Sequence, residues 1–340
     1  MSQGYKVNKQ IFTNLWRALD YAKQKNSHVN FVYHNDVFCN LQGMKVDQSY
    51  DYRSVFLKKL FKQSQNLLYS GGSDSHTILK LSESLGLQWE SVVTVLSGPT
   101  EDSEANNEYL PAINYLKNTQ HNHVILNHDL SYYEKIYSDP NWMYKHGGEI
   151  NFRPDYIDAN PLFSKNKNYI SGQEKPWLLY KEGRWYSWFV DTNCIEYIHL
   201  DNVTFFYVSP QMPEIYIQDC RKIRDIYVDK HGLPRDGTIV ERKMYNRDIL
   251  NNYSNTNKSN TVVTNNKNSL AVKHLWQMGR TDLIYQWLTT VQQHKENHQY
   301  GLKWNDNFVP QDFVSWLIDI DSLESLDTAE LHNLLHKKVL

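Results

Sequence analysis

The residues best placed to do chemistry fall between Asn66 and Leu85, in the stretch NLLYSGGSDSHTILKLSESL. Within six positions, Ser70 to Ser75, lie three hydroxyls, two glycines and one carboxylate. Leu67, Leu68 and Tyr69 before them predict a short buried strand. Ile78, Leu79, Leu81 and Leu85 after them recur at helical spacing and predict a helix that begins near Asp74 and Ser75. Gly71 and Gly72 carry no Cβ, so the chain can turn tightly and bring backbone against a ligand. The first turn of the helix would point unpaired N–H groups and a positive dipole end at that loop. With Ser70, Ser73 and Ser75 adding hydroxyl donors, the expected ligand is a phosphate anion. Neither the G-x-x-x-x-G-K-[ST] run nor the G-x-G-x-x-G run occurs in the chain, so two common nucleotide loops do not compete with this reading.

The SGGSDS run between a strand and a helix resembles the PP-loop of the ATP pyrophosphatase superfamily, whose signature is SGGxDS; Ser70, Gly71, Gly72, Asp74 and Ser75 match it. The nearest branch is the synthetase domain of the asparagine synthetases. The resemblance covers about residues 65 to 180. It implies that Ser70, Gly71, Gly72, Ser73 and Ser75 grip the phosphates of ATP and that Asp74 holds Mg²⁺, directly or through water. A substrate oxygen would then attack the α phosphorus and expel pyrophosphate. A second run, SGQEKP, stands where the asparagine synthetases have SGEGADE. By that match Ser171 and Gly172 lie against the nucleotide. Gln173 occupies the position of the catalytic glutamate, and since an amide cannot accept a proton as a carboxylate can, either Glu174 takes the role or the nucleophile is handled differently. Lys175, Lys243 and Lys258 are the candidate cations opposite pyrophosphate. Lys175 is favoured because it adjoins the nucleotide-site loop; Lys258 is a candidate because NKSNT is similar to the NKSTM segment of asparagine synthetases.

Other residues invite chemistry less directly. His121, His123 and His128 lack an acidic or cysteine partner at ligand spacing and are expected to face solvent. The aromatic stretch RWYSWF could stack nucleobases, but hairpin packing is the commoner use of such residues. Cys39, Cys194 and Cys220 form no C-x-x-C pair, which argues against a disulfide framework, a zinc site or an iron–sulfur site. A net charge of -2 supplies no general field to attract nucleic acid.

Positioning such a site requires alternating strands and helices. Beyond the loop helix, ESVVTVLSG and HVILNHD predict two further buried strands, with a helix carrying Tyr109, Ile113 and Leu116 between them and another at DLSYYEKIY. NYI predicts the fourth strand. The expected fold is α/β, a Rossmann-like doubly wound parallel sheet with a mostly helical C-terminal part. Three regions are expected: 1–64, with a helix near Ile11 to Ala22 and a hairpin around His34 and Asn35; 65–200, the nucleotide-binding core; and 201–340, mostly helical, with a polar loop at 251–269. LLYKEGRWYSWFV predicts a hairpin turning at Glu182 and Gly183, where the asparagine synthetases continue into a helix.

These readings converge on an ATP-dependent ligase or amidotransferase-like enzyme that adenylates a carboxylate or carbonyl oxygen and passes it to ammonia or an amine, with ATP and Mg²⁺ as cofactors. Ser2 follows Met1 where a glutaminase would have cysteine, and residues 1–64 are too few for that domain, so ammonia from glutamine is not expected within the chain. No apolar leader and no bilayer-spanning run is found, which predicts a soluble cytoplasmic protein. The alternatives are an ATP- or AMP-binding protein without turnover and a nucleic-acid base-modifying member of the same superfamily.

Overall fold

A computed structural model of the chain describes residues 4–27, 29–32, 45–97, 110–129, 131–132, 134–135, 139, 160–172, 177–189, 202–206, 213–240, 279–282, 285 and 316–326. Strands β1 (Gly4–Val7) and β2 (Gln10–Phe12) form a tight antiparallel hairpin through Asn8, whose φ of 55° lies in the left-handed region that asparagine tolerates. Helix α1 (Leu15–Gln24) is capped by the Asn14 side chain and buries Ala18, Leu19 and Ala22; β3 (Asn30–Val32) pairs with β1 on its other side. The hairpin partner expected after β3 lies outside the described residues. Helix α2 (Tyr52–Phe61) is capped by Asp51, which accepts from the Ser54 amide at 3.1 Å and the Ser54 hydroxyl at 2.5 Å.

The chain then builds an α/β core. Strand β4 (Asn66–Leu68) leads into α3 (Ser73–Ser84), followed by β5 (Ser91–Ser97), α4 (Leu110–Leu116), β6 (His123–His128) and β7 (Tyr169–Ser171). After a hairpin, β8 (Trp177–Lys181) and β9 (Arg184–Phe189), it returns with β10 (Val203–Phe205) and α5 (Pro213–His231), and ends in β11 (Thr238–Val240), β12 (Trp316–Asp319) and β13 (Ser325–Leu326). Five strands form one parallel sheet in the order β10-β7-β4-β5-β6, so β4 is central and the sequence order runs outward from it in both directions. The fifth strand, at 203–205, lies past residue 200, where the core was expected to end.

Side chains alternate across this sheet as the pleat requires. Leu67, Tyr69, Val92 and Ile170 face a core shared with Leu57 of α2, Ile78 of α3, Leu116 of α4 and Tyr216 of α5. Their neighbours Leu68, Val93 and Tyr169 face a second cluster with Leu126 and Phe163, to which none of those four helices contributes among the described residues. The amino end of the sheet is stitched by short polar links: Ser64 Oγ donates to Asn168 O at 2.5 Å, and Ser91 Oγ donates to Asn66 Oδ1 at 2.6 Å.

The remaining strands form an antiparallel sheet, β11-β8-β9-β12-β13. The β8–β9 hairpin turns at Glu182 (φ 50°) and Gly183 (φ 76°), where a two-residue turn with both φ values positive matches strand twist. Helix α5 joins the two sheets. Ile215 and Tyr216 enter the parallel-sheet core, whereas Cys220 Sγ lies 3.5 Å from Ser187 Oγ of β9 and Arg221 donates to Ile320 O at 2.7 Å. A buried ion pair, Arg53 with Asp219, and donation from Gln218 to the Asp47 and Tyr50 carbonyls at 2.6 and 2.7 Å fasten α5 to α2 and the segment before it. The C-terminal region, expected to be mostly helical, thus supplies one long helix and four strands among the described residues. Of its other expected helices, 281–282 and 285 are helical, and 269–278 and 329–339 lie outside the described residues, as does the 251–269 loop.

Candidate functional site

Ser70 to Ser75 leave the carboxyl end of β4 and enter α3. Tyr69 still pairs with β5, its amide donating to Val93 O at 2.7 Å. Gly71 then takes φ +75°, and a Cβ at that position would stand 2.7 Å from Ala112 Cβ. The residue has to be glycine both for its backbone and for the approach of α4. Helix α3 starts at Gly72, which has no side chain to cap it, and Asp74 places a negative charge in its first turn. Across the loop the serines satisfy one another through long bonds: the Ser70 amide and hydroxyl lie 3.3 and 3.4 Å from Ser75 Oγ, the Gly72 amide donates to Ser70 Oγ at 3.3 Å, and Ser75 Oγ donates to Gly72 O at 3.2 Å. Bonds at the long end of the normal range are the ones an incoming anion can replace.

The second predicted element arrives at the same place. β7 lies beside β4, with Leu68 opposite Ser171 in parallel register, so Ser171 and Gly172 end their strand next to the loop. A Cβ on Gly172 would come within 2.6 Å of the Ser75 nitrogen, 2.8 Å of Ser75 Cα and 2.9 Å of the Asp74 carbonyl carbon. Strand β7 is therefore seated directly on the first turn of α3. Ser171 is buried, and its carbonyl accepts from the Phe206 amide at 2.8 Å, which ties the pair to the edge of the sheet. Ser70, Gly71, Gly72, Ser73, Asp74, Ser75, Ser171 and Gly172 are thus brought together. Gln173, Glu174, Lys175, Lys243 and Lys258 lie outside the described residues.

A polar cluster that the sequence did not point to lines the flank of α3. Tyr69 Oη and His76 Nδ1 are 2.9 Å apart, and the His76 ring meets Tyr115 of α4 edge-on at 4.9 Å. Tyr115 Oη donates to both Glu83 oxygens at 2.8 and 2.6 Å; Lys80 sits 3.1 Å from Glu83 and 4.7 Å from the Tyr115 ring centroid. Burial, with Lys80 adding to it, pushes the His76 imidazole down to about 4. Burial, with Glu83 nearby, pushes Tyr69 well above its ordinary range. His121 reaches Glu83 at 3.6 Å, an acidic partner supplied from a helix far away in sequence.

The other histidines correct the expectation of solvent-facing side chains. His123 Nε2 is 3.0 Å from the buried Thr94 Oγ1. His128 is fully buried, stacked on Tyr132 at 3.8 Å, and neither ring nitrogen has a hydrogen-bond partner among the described residues. Alternation places it on the same face as Leu126, toward the second cluster, which desolvates it and pushes its pKa down to about 3. Among the described residues no group of three or more His, Cys, Asp or Glu could hold a metal ion, and no helix is long and apolar enough to cross a membrane. No family model and no curated protein matches the chain.

Proposed function

We propose that the chain is a PP-loop ATP pyrophosphatase-type enzyme, an adenylate-forming ligase that activates a carboxylate or carbonyl oxygen for transfer to ammonia or an amine. One observation carries the reading: SGGSDS and Ser171–Gly172 meet at the carboxyl ends of the adjacent parallel strands β4 and β7. There the strand order reverses, the position where open α/β sheets take their ligands. The order β6-β5-β4-β7-β10, or 3-2-1-4-5 when numbered from β4, supports a Rossmann-like reading of the sheet.

The residues present suit the triphosphate of ATP. The first turn of α3 and the hydroxyls of Ser70 and Ser75 offer donors to phosphate oxygens. Mg²⁺ bound to phosphates needs only one or two protein carboxylates, and Asp74 would supply one; the ion it holds would neutralise charge on the departing group. In the reaction the acceptor oxygen bonds to the α phosphorus as the bond to the bridging oxygen breaks, and pyrophosphate leaves. The loop's part is to hold and stabilise that leaving group, which favours the transition state over bound ATP. The amine then displaces AMP, with Glu174 as the base for its proton and Lys175 or Lys258 facing pyrophosphate.

Titration of the chain with Mg²⁺-ATP tests this reading. Wild type is expected to bind, Asp74→Ala to bind at least about tenfold more weakly, as expected on losing a charge-assisted interaction of about 1.5–3 kcal/mol, and turnover with the right acceptor to yield AMP and pyrophosphate. Equal affinity of the two proteins, or ADP and phosphate as products, would overturn it.

A further inference from the structure

We propose that Tyr69 and His76 form a side-chain staple across the SGGSDS loop, making both of them positioning residues for the bound phosphate; the inference rests on the phosphate-binding reading above. Tyr69 is the last residue before the loop and His76 the first after it, so their contact at 2.9 Å closes a ring around all six loop residues. The bonds inside the loop are longer, 3.2 to 3.4 Å, and each involves a serine hydroxyl that a phosphate would also engage. The staple is a tie across the loop that phosphate does not compete for.

Its geometry is held from outside. Tyr69 is 3% exposed and its amide is fixed to β5, so the phenol cannot swing away. The His76 ring is wedged by Tyr115, which is itself anchored by two bonds to Glu83, and the His76 amide donates to Gly72 O at 2.9 Å. The staple takes the tautomer that carries the ring proton on Nε2, so Tyr69 Oη donates and Nδ1 accepts. Helix α4 serves the same end a second time by pressing Ala112 against Gly71.

Three variants separate hydrogen bonding from packing. Tyr69→Phe removes the donor, His76→Phe removes the acceptor, and His76→Asn keeps an acceptor near the place of Nδ1. In the ligand-free protein, hydrogen exchange at the Ser70, Gly72 and residue-76 amides is expected to quicken about three- to tenfold in Tyr69→Phe and His76→Phe, the worth of one hydrogen bond. It should stay at the wild-type rate in His76→Asn, with the β5–β6 amides unchanged throughout. Mg²⁺-ATP affinity should fall by the same factor in the first two variants only. Wild-type exchange in Tyr69→Phe, or equal damage in His76→Asn and His76→Phe, would overturn the staple. If the exchange responds as expected but wild type binds no Mg²⁺-ATP, the phosphate reading fails while the tie across the loop stands.

Discussion

At the scale of single residues, the decisive feature is how little space surrounds the glycines that end the two strands. An alanine at Gly172 would drive its methyl into backbone atoms of Ser75 and Asp74, which cannot rotate aside as a flexible side chain would. At Gly72, whose φ is −67°, an added methyl would meet only Ser70 Oγ, a movable neighbour, at 3.2 Å. Gly172→Ala is therefore expected to lose about 1–3 kcal/mol of stability, as overpacking does, and Gly72→Ala to stay within about 0.5 kcal/mol. Urea midpoints at constant slope check both; equal losses would mean that the seat of β7 on α3 is loose. The SGGSDS run and Ser171–Gly172 were legible in the sequence because glycine and serine clusters at a strand end leave a local signature. The Tyr69–His76 contact was not, since tyrosine and histidine seven positions apart carry no such mark, and the Glu83–His121 pair depends on how α3 meets the segment between α4 and β6. His128 misled for a related reason: polarity at a strand end suggested solvent, whereas the pleat turns it to the Leu126 side.

At the scale of elements, the strands and helices of 66–171 follow from periodicity, because a fully buried parallel strand is a plain apolar run and its helix an amphipathic one. The C-terminal strands did not announce themselves. β11 and β13 are three and two residues long, and β12 reads WLID, too short for alternation to separate strand from helix. What makes β11 and β12 strands is the β8–β9 hairpin they pair with, and β13 in turn pairs with β12. Helix α5 holds this sheet to the rest through groups that need their partners, the Arg53–Asp219 pair above all, whose side chains are 7% and 3% exposed. Asp219→Ala removes the carboxylate from a buried guanidinium and is expected to cost about 3–5 kcal/mol. Replacing the pair with Arg53→Met and Asp219→Leu together should recover most of that loss. Denaturant titration of the single and double variants reads the difference, and additive losses would show that the pair is no coupled unit.

At the scale of the whole molecule, buried neutral histidines make stability depend on pH. His128 and His76 titrate in the unfolded chain near 6.5 but are held down to about 3 and about 4 in the fold. Between those limits the unfolded state binds more protons, so stability is full above about pH 6.5 and falls as pH drops through the window, by about 1.4 kcal/mol per pH unit for each group. Burial lowers His121 and His123 as well, with the same sign. His128→Phe, which keeps the stack on Tyr132, is expected to flatten the decline between pH 6.5 and 4.5; an unchanged slope would remove His128 as its source. The path of the chain between the two sheets has a different kind of consequence. Four parallel strands are laid down by residue 171, the chain then departs to make the hairpin of the other sheet, and only afterwards does β10 return to close the edge beside β7. During synthesis, then, the parallel sheet waits with the backbone of β7 bare on one side until residues 203–205 emerge, and no single cut of the polypeptide yields both sheets intact.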